Sequence, residues 1–124
     1  MKVCYIASPY RKPDGLMCEN VTVQMDAAHR LMDMGISPIT PLLTHFLNIH
    51  RHRPEEDWLE SELELVRRVD AVLRLPGFSV GADGEVALAK KLGIPVFFDW
   101  GQLEAWLWAD THDVDTSGMD VRNN

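Results

Sequence analysis

DAVLRLPGFSVGADGEVALAKKLGIPVFF, residues 70–98, decides the fold. Residues 70–75 are a short, mostly aliphatic run closed by Pro76-Gly77, the pattern of a buried strand. Residues 81–92 carry helix formers, and Gly93 stands where a helix C-terminus wants a residue tolerant of positive φ. A second apolar run, IPVFF at 94–98, follows at once. A strand, a short helix and a second strand form a βαβ unit, whose two strands must lie parallel.

The flanking sequence repeats the alternation. Residues 3–8, VCYIAS, read as a strand ended by Pro9, and residues 9–18, with Pro13, Asp14 and Gly15, as a loop. Val21, Met25, Ala28 and Met32 recur at helical spacing over 19–34, and Gly35 closes that helix. Residues 36–40 predict a brief strand before Pro41, and 42–53 a short helix and a loop. Pro54-Glu55-Glu56-Asp57 opens a helix running to about Arg68, with its acids at the positive end of the dipole. A last helix is expected at 103–108, then a polar, Asp-rich and mobile tail at 110–124. The order predicts a single α/β domain over 1–109: a flavodoxin/Rossmann-like parallel sheet of four to five strands flanked by helices. Ligands of such sheets bind at the carboxyl ends of the strands, which directs attention to residues 8–18, 40–54 and 76–84.

Composition narrows the function. The 124 residues are 46% hydrophobic and 25% charged, as in an ordinary folded domain. Residues 1–54 hold six basic and four acidic groups; residues 55–124 hold six and fifteen, and the net charge is −7. Such a surface suits neither a nucleic acid polymer nor an anionic membrane. No apolar run is long enough for a membrane helix or a secretory signal, so a cytoplasmic protein is expected. Cys4 and Cys18 lack a CxxC spacing and read as reduced thiols.

Several positions carry chemistry. In Pro76–Glu85, PGFSVGADGE, glycines and a serine join a strand to a helix. Helix-start amides bind anions, and Gly81 lets a phosphate approach the backbone; an ordinary β-to-α loop has the same look. Glu85, read as lying in or next to the first helical turn, is expected to keep a low pKa, and is either a dipole partner or an ionised nucleophile toward a sugar anomeric carbon. On a helical wheel Glu62 falls within the apolar arc of Trp58, Leu59, Leu63, Leu65, Val66 and Val69. A carboxylate there is either a buried structural partner or a general acid. Ser8-Pro9-Tyr10-Arg11 ends the first strand with an arginine suited to phosphate or carboxylate, or merely exposed, and Tyr5 lies on the same strand. His45, His50 and His52 match no compact metal signature, so no metal is expected. Trp100, Trp106 and Trp108 read as core or dimer contacts.

Together these segments resemble the nucleoside 2-deoxyribosyltransferase superfamily, in particular its small 2′-deoxynucleoside 5′-monophosphate N-glycosidases. YIASPYR (5–11) resembles the family's first strand and loop, WLESELELVRRVD (58–70) its acidic helix, and residues 70–98 its strand-loop-helix-strand signature, with Ser79 and Glu85 six residues apart. The resemblance implies that Glu85 attacks C1′ of a 2-deoxyribosyl group and that Tyr5 lies beside the sugar. Glu62, where the family usually has Asp, is implied to help protonate the leaving base or hold the sugar. Arg11, Ser8, Ser79 and Gly81 are implied to meet a 5′-phosphate, with Asp83 adding a negative charge nearby. It implies hydrolysis to free base and 2-deoxyribose 5-phosphate, or transfer to a second base, on a small deoxynucleotide or deoxynucleoside and without a cofactor. It also implies a homodimer, for which helices 19–34 and 55–68 are the expected contacts, while residues 41–53 are the candidate base pocket. A non-catalytic nucleotide sensor or a purely structural protein are the alternatives.

Overall fold

The computed structural model describes residues 1–11 and 17–112. Residues 12–16 of the expected loop at 9–18, which hold Pro13, Asp14 and Gly15, and residues 113–124 of the expected tail lie outside them. The described elements are β1 (Val3–Ala7), α1 (Met17–Asp33), β2 (Ser37–Ile39), a 3-10 turn (Pro41–Leu43), α2 (Thr44–His50), α3 (Glu55–Val66), β3 (Ala71–Arg74), α4 (Val80–Lys91), β4 (Val96–Phe97) and α5 (Trp100–His112).

All pairings are parallel and the strand order is β2-β1-β3-β4, a four-stranded, doubly wound sheet. The order reverses between β1 and β3, which places a crevice at their carboxyl ends. Side chains alternate across β1 and β3, and both faces are covered. Cys4, Ile6, Ala71 and Leu73 pack against Ala27, Ala28 and Leu31 of α1 and Leu103 of α5. Tyr5, Ala7 and Val72 face Val66 of α3, Val69, and Ala82, Val86 and Ala89 of α4. No helix among the described residues is long and apolar enough to cross a membrane. Cys4 and Cys18 are both free thiols; burial pushes the Cys4 thiol up to about 12.

Several boundaries differ from expectation. α1 starts at Met17, and its buried face is Val21, Gln24, Ala27, Ala28 and Leu31, so Met32 points to solvent. Pro54 is the residue before α3 rather than its first turn, and α3 ends at Val66. β4 is cut to two residues. α5 is about twice the expected length and runs through Asp110, where the tail was expected to begin. The Lys2–Asp110 ion pair at 3.2 Å and the packing of Trp100, Trp106 and Leu107 on the core hold it against the sheet. Trp108 is about half exposed.

Candidate active site

Tyr5 leaves the middle of β1 toward α4. Its hydroxyl donates to Glu85 Oε2 at 2.6 Å, and the two residues are 0% and 5% exposed. Glu85 lies on the buried stripe of α4 with Ala82, Val86 and Ala89, the i, i+3, i+4, i+7 face that meets the sheet. It is the sixth residue of α4, not part of the first turn, so the helix dipole does not govern it. Burial instead pushes its carboxyl up, against the expected low pKa, while hydrogen bonds from Tyr5 and Glu62 and the charge of Arg74 pull it back.

Glu62, half-buried on α3, closes the cluster through a hydrogen bond to Glu85. Burial, then the Glu85 charge and that hydrogen bond, push the Glu62 carboxyl up to about 8. The Tyr5 donor and the Arg74 charge favour ionised Glu85, so the shared proton sits on Glu62. Burial and the same negative charge push the Tyr5 hydroxyl upward, which keeps it a donor. The arrangement is a carboxylate accepting two hydrogen bonds beside a carboxylic acid.

The β3–α4 loop forms one wall. Ser79 caps α4, its hydroxyl accepting from the Ala82 amide at 3.0 Å, and the first-turn amides of Val80 and Gly81 have no intrahelical partner. Space above Gly81 is open. Gly77 has a φ of +118°, and a Cβ there would lie 2.8 Å from Pro9 Cγ, so the loops after β1 and β3 touch. Asp83 is held by Arg74, with Nη2 at 3.0 Å and Nε at 3.3 Å from Oδ1.

The opposite rim comes from the segments after β1 and β2. The Arg11 guanidinium donates to Glu55 at the start of α3 across 3.1 Å, both side chains being largely exposed. The Tyr10 hydroxyl meets His45 Nδ1 at 2.5 Å, and the His45 ring stands edge-on to Tyr10 and Phe46. The Ser8 hydroxyl accepts from Gln24 Nε2 at 2.8 Å. His50 and His52 are exposed, and no group of acidic, His or Cys residues suited to a metal occurs among the described residues. An open groove of about 740 Å³, lined by Met1, Lys2, Met34, Asp70 and Trp108 among others, lies at the amino ends of the strands and contains none of these residues.

A family pattern covers residues 2–99, from β1 through the whole sheet and every residue of the cluster. The chain belongs to the family described as Domain of unknown function (DUF7768). No curated protein matches it. Among solved structures, it is similar to a 2-deoxyribosyltransferase from the psychrotolerant bacterium Bacillus psychrosaccharolyticus, described as a biocatalyst for nucleoside synthesis. The identity is 20%, the TM-score 0.62, and the match covers 82% of this chain and 90% of that one. The DUF7768 domain thus has the fold of a 2-deoxyribosyltransferase.

Of the residues singled out in the sequence, Tyr5, Glu62 and Glu85 come together. Ser79 and Gly81 lie at the mouth of α4, and Arg11 on the opposite rim. Asp83 is neutralised by Arg74 rather than left as a bare charge, and Ser8 is engaged by Gln24. Sequence reasoning did not anticipate two residues, Arg74 and Gln24. Each is a polar residue inside an otherwise apolar pattern, and that interruption was the available signal.

Proposed function

We propose that the protein cleaves the N-glycosidic bond of a 2′-deoxynucleoside 5′-monophosphate, with Glu85 as nucleophile. The observation that carries this reading is the hydrogen-bonded Tyr5–Glu85–Glu62 cluster, with Tyr5 and Glu85 buried and Glu62 half-buried. Protonated Glu62 gives its proton to the leaving base as the C1′–N bond breaks. The Glu85 carboxylate stabilises the oxocarbenium-like transition state and captures C1′ as an ester. Carboxyl groups in one hydrogen-bonded cluster do not leave the ~6.5–9.5 Å that direct attack by water requires, which favours the two-step route. In the second step Glu62, now ionised, takes a proton from water as the water oxygen bonds to C1′; the C1′–O ester bond breaks, Glu85 leaves as carboxylate, and the product is 2-deoxyribose 5-phosphate.

A phosphorylated donor is supported by the first-turn amides of Val80 and Gly81, which have no partner within the helix, and by Arg11, an exposed cation that can leave Glu55. Ser8 and Ser79 border the same region. If a second base replaces water, the same ester yields a new nucleotide; the fold shared with a named 2-deoxyribosyltransferase favours keeping transfer as a second reading. Residues 41–53, with His45 and Phe46 beside Tyr10, are the candidate base pocket. A homodimer through α1 and α3 would cover Val23, Met32 and Leu59, which are exposed here, and sedimentation velocity tests it.

The deciding experiment incubates the protein with deoxynucleoside 5′-monophosphates and the matching nucleosides, with and without an acceptor base, and follows free base by chromatography beside Glu85→Gln. The expected result is base release that requires Glu85 and the 5′-phosphate. Release from nucleosides alone removes the phosphate assignment, and binding without release from any compound makes the chain a nucleotide sensor.

A further inference from the structure

We infer that Arg74 is a positioning residue that sets the place and charge of the Glu85 carboxylate by clamping the start of α4; as a statement about catalysis this rests on the function proposed above.

The argument begins in β3. Arg74 pairs in register with Ala7, so by strand alternation its side chain leaves the sheet on the face that carries Tyr5 and Val72. Its side chain is 8% exposed. A guanidinium at such a place must be met at every nitrogen, since burying its charge unpaired is costly. All three nitrogens are engaged. Nη1 donates to the Leu75 carbonyl, Nη2 to the Gly77 carbonyl at 2.8 Å, and Nη2 and Nε to Asp83 Oδ1. These partners stand at both ends of the β3–α4 loop, so one planar fork ties the end of the strand to the first turn of the helix. Glu85 follows Asp83 by two residues on that helix.

The charges around Glu85 make the role testable. Tyr5 faces it from β1, Glu62 from α3 and Arg74 from β3, with Asp83 on its own helix and Glu55 acting on Glu62. Arg74 supplies the positive charge in this set, and Asp83 partly cancels it. Removing Arg74 abolishes the clamp, whereas removing the Asp83 charge leaves its Oδ1 as an acceptor and only weakens it; the two changes alter the field at Glu85 in opposite directions.

The experiment is a carboxyl carbon NMR titration of the full chain labelled at glutamate, in wild type, Arg74→Met, Arg74→Lys and Asp83→Asn. The Glu85 midpoint is expected to rise by about one pH unit in Arg74→Met, to fall in Asp83→Asn and to stay near wild type in Arg74→Lys. In Arg74→Lys, which keeps the charge but loses the fork, base release is expected to drop about tenfold in kcat with little change in KM. Midpoints that move together in Arg74→Met and Asp83→Asn, or that stay fixed in either of these two variants when folded, overturn the proposal. If Arg74→Met does not fold, Asp83→Asn and Arg74→Lys still decide it. If wild type releases no base, the proposed function fails, and the titration continues to report whether Arg74 governs Glu85.

Discussion

The Tyr5 hydroxyl and Glu85 Oε2 are 2.6 Å apart although 80 positions separate them in the chain. The parallel pairing of β1 with β3 and the packing of α4 over both strands bring them together. The hydrogen bond holds charge on Glu85 in a place where burial opposes it. Tyr5→Phe is therefore expected to raise the Glu85 midpoint and to lower kcat at neutral pH by about 10- to 100-fold, with KM nearly unchanged. Steady-state kinetics against pH checks this. A variant as active as wild type removes Tyr5 from the mechanism.

Glu62 links activity to pH. With its carboxyl near 8, the acid needed by the leaving base is lost as pH rises through that value, so kcat/KM is expected to fall on the alkaline side. Glu62→Gln keeps a donor toward Glu85 but has no proton to give. We expect about a 10²- to 10⁴-fold loss with that alkaline limb abolished. An unchanged limb in Glu62→Gln would assign it to another group.

The same group couples to stability, and the sign follows from proton counts. Between the ordinary carboxyl value of 4.5 and about 8 the folded chain holds a proton on Glu62 that the unfolded chain has released. Stability is thus fully present below about 4.5 and is lost as pH rises through about 8. Urea unfolding across that window is expected to show falling stability in wild type and a flatter profile in Glu62→Gln. Parallel profiles would place the shared proton elsewhere.

Gly77→Ala is expected to destabilise the chain by about 1–3 kcal/mol, because φ of +118° strains any side chain and the new Cβ would press on Pro9. By contrast Gly81→Ala meets open space and a right-handed helical backbone, and should be neutral or slightly stabilising. Thermal denaturation of the pair checks the contrast. Equal melting temperatures would mean that the loops after β1 and β3 do not depend on their contact.

The parallel sheet was legible because its strands are short apolar runs punctuated by Pro and Gly, and Glu62 was legible as a carboxylate inside an apolar arc. The burial of Glu85 was written in the same way, in the stripe Ala82, Glu85, Val86, Ala89, but small residues make that stripe weak, and the helix was expected to start one residue later. Arg74 and Gln24 were not legible as site residues because their partners include backbone carbonyls and an amide, whose positions depend on the tertiary fold. The two ends of α5 were misplaced because their contacts, Arg30 with Trp100 and Lys2 with Asp110, are long-range.

Gln24 supports the crevice from the other side. Fully buried in α1, it donates to the Ile6 carbonyl at 2.9 Å and to the Ser8 hydroxyl, and its carbonyl accepts from the Leu42 amide at 2.9 Å. One side chain thus ties the end of β1 to the 3-10 turn after β2, the two segments that carry Tyr10, Arg11 and His45. Gln24→Met fills nearly the same volume with no donor or acceptor of that strength, which leaves a buried amide and a hydroxyl without their partner. The expected loss is about 2–4 kcal/mol in urea unfolding with an unchanged m-value. Because the Tyr5–Glu85 pair is held by other elements, the folded fraction of Gln24→Met should keep its kcat and lose substrate affinity. A stable variant with wild-type KM would show that the rim is held without Gln24.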